Sequence, residues 1–306
     1  TKNTDLLQSV PLSAASGFGS QQRNVGSVRN RGIDLNITTV NLDGELRWES
    51  NLNLNINRSK VLELSEHKDI VSGSYIIREG LPLRYYYMRE WVGVDPQTGK
   101  PLWTRWEDEN GSLLHGANKK DPSKITTTSI YSDASVIPIE TVYPDFTGGF
   151  SNDLMYKNIT LTILTNFAVG HKVLTTANWT VHDLGSNRYK ITKWQNWSTW
   201  EKPGDKADLP QLLFSDPYNS RMESSFYLFD ASYFKVQSMR LGYTFTKPFM
   251  GIKNLNVAIA GENIAILTKF PFGDSDTNME GSSAGSAALD RYRPTRKILF
   301  SLRFDL

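Results

Sequence analysis

Short and long connections between candidate β-strands alternate along this chain, and the alternation limits the possible folds more than any other feature. Ten candidate strands can be placed, the first at residues 4–10 and the last at residues 295–306. Tight turns lie near residues 42–45, 95–100, 154–157 and 247–252, and long polar segments lie near residues 58–81, 107–145, 170–230 and 265–294. Barrels of the bacterial outer membrane have short periplasmic turns and long extracellular loops. The pattern therefore predicts an all-β, antiparallel transmembrane barrel wall.

The composition is compatible with such a barrel and excludes several other classes. Only 39% of the 306 residues are hydrophobic, and no stretch approaches the roughly 18–20 consecutive apolar residues of a spanning helix. The net charge is +2, from 34 basic and 32 acidic residues, so there is no electrostatic basis for binding nucleic acid. The chain has no cysteine, which excludes disulfides and thiolate metal sites. No cofactor is expected.

Polar and apolar residues alternate with a period of two around the hairpin turn at Asp43 and Gly44. After this turn one face carries Leu46, Trp48, Leu52, Leu54 and Ile56, and the other carries Arg47, Glu49, Asn51, Asn53, Asn55 and Asn57. The polar set is too large for a dry core and is typical of a wall with lipid on one side and a wet lumen on the other. We therefore expect the apolar set to contact lipid. The alternative is a soluble sheet that packs on one side only.

The same alternation recurs in later strands, at residues 159–169, 239–245 and 297–306. These segments approach the roughly 9–11 residues that a tilted strand needs to cross a bilayer. Trp103, Trp106 and the three tyrosines at 85–87 flank candidate strands and are expected in an interfacial aromatic girdle.

Motifs that could carry catalysis or bind a metal are weak. The run Gly-Ser-Ser-Ala-Gly at 281–285 matches a nucleophile elbow, but it lacks the buried strand that an elbow needs, so it is interpreted as a loop. Asp274 and Asp276 resemble the start of a calcium loop, but Met279 and Gly285 break the pattern. A solvated acidic loop is expected, with an irregular calcium site as the alternative. The four histidines are scattered, so neither a metal centre nor an enzyme is predicted.

Aromatic residues are concentrated in the long segment 170–230, among Asn, Asp, Arg and Lys. Flat rings beside hydrogen-bonding groups suit the recognition of sugars or peptides. The candidates for contact with a substrate or with a covering protein are Trp179, Tyr189, Trp194, Trp197, Trp200 and Tyr218. The alternative is that these rings pack the loop against itself or against a partner protein.

Five ordered motifs resemble those of one family, the SusC-like TonB-dependent outer-membrane transporters (the RagA/SusC family). They are NVGSVRNRGID at 24–34, GVDPQTGKPLW at 93–103, YPDFTGGFSN at 143–152, DASYFKVQSMRLGY at 230–243 and GENI at 261–264. The five together extend over most of the chain. Glycine at bulges and turns, and Asp-Pro at a turn start, are structural reasons for the same residues.

The resemblance implies a plugged barrel of about 22 strands, of which about ten lie here. Residues 1–306 are then expected to form the C-terminal portion of the barrel, without the N-terminal plug and the segment that contacts TonB. The two end strands should then pair with other strands and not with each other.

The resemblance also implies a place in the Gram-negative outer membrane, in contact with its lipid, and a SusD-like surface lipoprotein as a partner over the loops. The implied function is TonB-dependent import of a large nutrient, an oligosaccharide or a peptide. The alternatives are a soluble glycan-binding β protein and a passive or structural outer-membrane barrel.

Overall fold

The computed structural model describes residues 2–3, 7–11, 20–24, 26–64, 67–116, 121–175, 197–245, 255–276, 286–287 and 294–304. In these ranges the chain is mostly strand, with short 3-10 helices at Tyr131–Asp133 and Ser225–Tyr227. Neither helix is long and apolar enough to span a membrane.

The strands in these ranges are numbered in chain order. They are β1 (Lys2–Asn3), β2 (Leu7–Pro11), β3 (Ser20–Asn24), β4 (Ser27–Leu42), β5 (Leu46–Glu63), β6 (Ile70–Ser72), β7 (Tyr75–Ile77), β8 (Tyr85–Arg89), β9 (Trp91–Val94), β10 (Pro101–Glu107), β11 (Lys124–Thr128), β12 (Val136–Thr141), β13 (Phe146–Tyr156), β14 (Ile159–Val169), β15 (Lys172–Thr175), β16 (Leu228–Asp230), β17 (Tyr233–Phe245), β18 (Leu255–Thr268), β19 (Ser286–Ala287) and β20 (Lys297–Arg303).

Eight of these strands form one large antiparallel sheet, which we call the wall. Their order is β1-β4-β5-β13-β14-β17-β18-β20. The short turns at 43–45 and 157–158 join neighbouring wall strands, whereas residues 64–145, 170–232 and 269–296 form long connections. The predicted turn at 247–252 lies outside the described residues, although the strands on either side of it pair with each other. The wall therefore confirms the alternation of short and long connections.

One face of the wall is apolar and open. Register places Ile33 opposite Ile56 and Leu35 opposite Leu54, and paired residues share a face. At the far end of the wall Phe300 is 82% exposed, and Ile33 is 66% exposed near the start. In the described part of the chain no second sheet covers this face. An apolar surface of this extent is stable in lipid and is not stable in water.

The opposite face of the wall is lined with side chains that hydrogen-bond to one another. Asn51 donates to Asn36 Oδ1 at 2.8 Å and to Thr38 Oγ1 at 2.7 Å. Asn55 donates to Asp34 across the same pair of strands, β4 and β5. The facing predicted for the strand after Gly44 is therefore confirmed, because the asparagines share the polar side and the leucines share the apolar side.

A small polar cluster interrupts the apolar face next to the short turns. Ser50 Oγ donates to Asn152 Oδ1 at 2.8 Å, and Trp48 Nε1 donates to the same oxygen at 2.9 Å. Asn41 Nδ2 in turn donates to Ser50 Oγ at 2.7 Å. A tryptophan with its N–H bonded at the end of the apolar belt is typical of a membrane interface.

The segment between β5 and β13 departs from the prediction. The predicted turn at 95–100 joins β9 to β10, which belong to a separate three-stranded sheet and not to the wall. Trp103 is 0% exposed in this sheet and packs edge-on against Trp91 and Tyr131, with ring centroids 5.7 and 5.4 Å apart. Trp106 and Tyr86 are also buried. The interfacial girdle predicted from the sequence is therefore wrong for Trp103, Trp106 and Tyr86, because they are buried within loop sheets. Tyr85 and Tyr87 are half-buried on β8, which also lies outside the wall.

The described wall has eight strands where about ten were expected. The two strands of the β9–β10 hairpin, which folds within a loop, account for this difference. At the start of the chain β2 pairs with β3 in a separate hairpin, and β1 takes the expected place in the wall. Of the first candidate strand, residues 4–6 lie outside the described residues, and only the neighbouring Lys2–Asn3 joins the wall.

The three long connections fold together over one end of the wall, and we call this assembly the loop layer. Its buried core takes Tyr86, Met88 and Val142 from the first connection, Val173, Leu174, Tyr227, Leu228 and Ala231 from the second, and Phe270 and Phe272 from the third. The parallel pairing of β15 with β19 also joins the second connection to the third. The three long connections are therefore held together by one buried core to which each of them contributes.

The wall is an open sheet. Its outer strands are β1 and β20, and within the described residues they pair only with β4 and β18, respectively. This agrees with the expected partial barrel.

The facing of the wall gives a first prediction. Leu52→Arg places a cation near the middle of the apolar belt and is expected to lower the free energy of unfolding in a bilayer by about 2–4 kcal/mol. The neighbouring Asn53→Arg, on the polar face, is expected to change it by less than about 1 kcal/mol. Denaturant titration of the two variants in the same lipid measures the difference. Equal destabilisation would contradict the facing.

Candidate functional site

A cavity of about 290 Å³ lies on the polar face of the wall, beside the loop layer. It is lined by Asn53, Thr147, Gly148, Asn166, Phe167, Ala168, Tyr233 and Asp276. Register explains why these residues meet: Asn53 and Asn166 both lie opposite Gly149, and Asn166 also lies opposite Lys235. Because Gly149 has no side chain, the asparagines on its two neighbouring strands fit beside it without a clash. An added Cβ at Gly149 would lie 3.1 Å from Asn53 Nδ2.

The lining offers hydrogen-bonding groups to a ligand. Asn166 Oδ1 is buried and has no hydrogen-bond partner among the described residues. Buried polar atoms are normally paired, so an unpaired acceptor at a cavity wall marks a position for a donor from outside. Thr147 and Asn53 add a hydroxyl and an amide beside it. Such a site suits molecules rich in hydroxyl or amide groups.

Lys235 attaches the third long connection to the wall. Its side chain is almost fully buried, and its Nζ lies 2.9 Å from Asp274 Oδ2 and 3.1 Å from Asp276 Oδ2. Tyr233 donates its hydroxyl to Asp276 Oδ1 at 3.1 Å. The expected solvated acidic loop is thus corrected in part, because both aspartates pair with a buried ammonium group. The described residues contain no group of side chains able to hold a metal ion; Asn278 and Glu280 lie outside them.

His171 forms part of the support for this site. It is 1% exposed, and its ring packs edge-on against Tyr233 with centroids 6.4 Å apart. Neither ring nitrogen has a hydrogen-bond partner among the described residues. Burial lowers the pKa of His171 to about 4, against the opposing effect of Asp230 and Asp276. The imidazole is therefore neutral at pH 7.

The aromatic candidates from the sequence are placed elsewhere. Trp179, Tyr189 and Trp194 lie outside the described residues. Trp197, Trp200 and Tyr218 are described, and none of them lines the cavity on the wall.

Each of these three rings packs within the loop layer. Trp197 stacks on Phe229 with centroids 6.1 Å apart and planes 16° from parallel. Trp200 covers Gly99, where φ is +68° and an added Cβ would lie 2.4 Å from the indole ring. Trp200 also donates its Nε1 hydrogen to Pro96 O at 2.9 Å. The ring of Tyr218 lies 5.6 Å from the Nζ atom of Lys100. The last two rings therefore meet on one turn, that between β9 and β10.

The cavity residues were not identified as a site from the sequence. Alternation placed Asn53 and Asn166 on polar faces, but it could not show that they stand in one row. The paired glycines in the segment 143–152 were the available signal, because a glycine pair inside a strand marks a close approach or an opening.

Apolar and polar faces on one antiparallel wall, with the described parts of three long connections folded together at one end, define the wall of an outer-membrane β-barrel. The chain belongs to the family described as TonB dependent receptor-like, beta-barrel, whose model matches residues 1–201. Its wall strands accordingly lie in the bacterial outer membrane.

Two curated relatives come from Formosa agariphila. TonB-dependent receptor P3 is 28% identical over 295 residues, which cover 90% of this chain and 28% of the relative. TonB-dependent receptor P26 is 26% identical over 308 residues, which cover 93% of this chain and 29% of the relative. The chain thus spans less than a third of the length of these relatives.

Solved structures show the same fold. The RagAB peptide transporter matches with a TM-score of 0.76 and 24% identity, over 98% of this chain and 32% of that chain. The RagAB peptide importer in its open-open state matches with a TM-score of 0.74 and 23% identity, over 98% of this chain and 31% of that chain.

The buried ion pairs of Lys235 give a second prediction. Lys235→Met leaves two carboxylates close together without their cation, and is expected to lower the free energy of unfolding by about 3 kcal/mol and speed hydrogen exchange in residues 269–276. The control is Lys297→Met, whose exposed pair with Glu262 at 3.6 Å is expected to contribute less than about 1 kcal/mol. Unchanged hydrogen exchange in Lys235→Met would show that Lys235 does not attach the third long connection to the wall.

His171 gives a third prediction. Between pH 4 and the ordinary pKa of 6.5, the unfolded loop binds a proton that the folded loop does not, so stability rises with pH across this interval. The slope is expected to reach about 1.4 kcal/mol per pH unit. It can be measured from the hydrogen-exchange protection of residues 172–175, corrected for intrinsic exchange. His171→Phe is expected to remove the slope, and a slope that persists in this variant would assign it to another group.

Proposed function

We propose that the protein containing these residues imports a large nutrient across the outer membrane in a TonB-dependent manner. The nutrient class is an oligosaccharide or a peptide. The observation that carries the proposal is the cavity on the inner face of the wall, because it offers hydrogen-bonding groups to a solute inside the barrel. Membership of the TonB-dependent receptor-like family supports the energy source.

The chemistry of the cavity supports the substrate class. The acceptor at Asn166 and the carboxylate of Asp276 suit N–H and O–H donors, which peptides and sugars both carry in series. The similar structure of the RagAB peptide transporter agrees with one of these two classes.

Further parts of the transporter are also proposed. The open edges at β1 and β20 require pairing partners in lipid, since an unpaired backbone group there costs several kcal/mol. We place the remaining wall, the plug and the TonB-contacting segment N-terminal to residues 1–306, and a SusD-like lipoprotein over the loop layer. No catalytic step is proposed.

The rival functions are judged by specific observations. A soluble glycan-binding protein is disfavoured by the open apolar face, with Phe300 82% exposed. A passive barrel differs from the proposed transporter in its energy requirement, which uptake experiments measure.

The aromatic candidates keep a proposed role at the surface. Trp197 and Trp200 are each partly exposed, so one part of each ring packs in the loop layer while the rest is open to a substrate or to the lipoprotein. Trp179, Tyr189, Trp194 and Tyr218 complete the proposed set. Loss of uptake in Trp197→Ala with unchanged hydrogen exchange in the loops would favour contact, whereas faster exchange would favour packing.

Uptake of labelled oligosaccharides and peptides gives the fourth prediction. Asn166→Ala is expected to raise the half-saturating concentration about tenfold, because one hydrogen bond of roughly 1.4 kcal/mol is lost. The matched control is Asn256→Ala, on the polar face but near the short-turn end, which is expected to leave uptake unchanged. Both variants must show heat-modifiable migration in detergent gels, which reports an assembled barrel.

The energy source is tested in the same cells. Dissipating the proton-motive force is expected to abolish uptake by the unaltered protein. Uptake that continues would indicate a passive pore.

A further inference from the structure

Basic side chains are concentrated on the outward face of the wall, immediately beyond the apolar belt. Register pairs Ile33 with Ile56 on the apolar face, then Arg31 with Arg58 two residues further along, and Arg29 with Lys60 after two more. Since side chains two residues apart point to the same side of a strand, these cations share the face of the isoleucines. On the next strand Lys2 lies opposite Arg29 and adds a fifth cation. We call Lys2, Arg29, Arg31, Arg58 and Lys60 the basic patch.

The inner side of the same strands confirms this facing independently. Val28 and Val61 lie between the outward positions, and both are buried in a cluster with Leu64 under the loop layer. Ser59 accepts a hydrogen bond from the backbone of Leu83, again on the inner side. The arginines and lysines between these residues therefore point away from the lumen.

The height of the patch follows from strand geometry. From Leu46 to Ile56 the strand rises about 25 Å along the barrel axis, at about 3.3 Å per residue and a tilt of about 40°. This equals the height of the apolar band of an outer-membrane barrel, about 25 Å. By the same geometry Arg58 lies about 5 Å beyond the belt and Lys60 about 10 Å beyond it. This end of the wall leads into the long connections, so the patch lies at the headgroups of the outer leaflet.

Within the described residues, Arg58 is the one member of the basic patch that has a carboxylate partner. Arg58 pairs with Asp145 at 2.7 Å. Lys2, Arg29, Arg31 and Lys60 have no carboxylate within ion-pair distance among the described residues. Two successive cross-strand pairs of like charge are destabilising unless an anion lies between them. Because the whole chain carries nearly equal numbers of basic and acidic residues, this concentration is a local feature.

We propose that the basic patch binds the phosphate groups of a phosphorylated glycolipid in the outer leaflet. The outer leaflet of this membrane is built largely of such lipids, and their phosphates lie at the level of the patch. Arginine holds phosphate through two parallel hydrogen bonds, and lysine adds a point charge. A lipid held there joins the first strands of the wall to the leaflet, beside the long connection at residues 64–145.

The test uses the full-length protein purified from outer membranes in detergent, with lipid A as the probe. Lipid A is expected to raise the temperature at which heat-modifiable migration is lost. Dephosphorylated lipid A and inorganic phosphate at matched concentration are expected to produce little change. The first comparison isolates the phosphate groups, and the second separates a lipid from a free anion. Neither requires a variant.

A triple variant then assigns the effect to the patch. Arg29→Gln, Arg31→Gln and Lys60→Gln together are expected to weaken lipid A binding at least about tenfold. The matched control replaces three cations of the inner face, Arg47→Gln, Arg240→Gln and Lys297→Gln, and is expected to bind lipid A normally.

Three results would overturn the proposal. Equal stabilisation by lipid A and by dephosphorylated lipid A shows that phosphate is not recognised. Equal stabilisation by inorganic phosphate shows a general anion site. Normal binding of lipid A by the triple variant shows that the lipid binds elsewhere.

Discussion

The structure depends on one constraint, which is that every backbone amide and carbonyl group of a strand in hydrocarbon must pair with a neighbouring strand. Pairing in register brings side chains of like position into rows across the wall. Because side chains alternate between the two faces, each row is either outward or inward. The open apolar face with Ile33 and Phe300, and the inner rows of asparagine and threonine, are two consequences of the same ladder.

The same rows create the sites. Asn53 and Asn166, on the two strands beside Gly149, line a cavity on the inner face, and Lys235 at the end of that row holds the third long connection. On the outer face the rows beyond Ile56 carry the basic patch. Neighbouring rows lie one residue apart along a strand and point to opposite faces. An inward row can therefore contact solutes while the next, outward row contacts lipid.

The loop layer follows a different rule. Its strands are short, and its order comes from a shared core that includes Tyr86, Tyr227 and Phe272, one from each long connection. Trp200 over Gly99 and Lys235 with its two aspartates add contacts that join separate connections or attach them to the wall. The three connections therefore share one buried core.

The sequence alone determined the class of fold, the facing of the wall strands and the alternation of connections, because period-two alternation and turn chemistry are local properties. It did not determine that the strands around Trp103 lie outside the wall. A short apolar strand has the same sequence pattern in a barrel wall and in the core of a loop. Only the tertiary structure brought Asn53 to Asn166 and Lys235 to Asp274, because register between distant strands decides which side chains meet. The basic patch shows both contributions: the sequence places its charges on three separate strands, and the pairing of those strands makes them one surface.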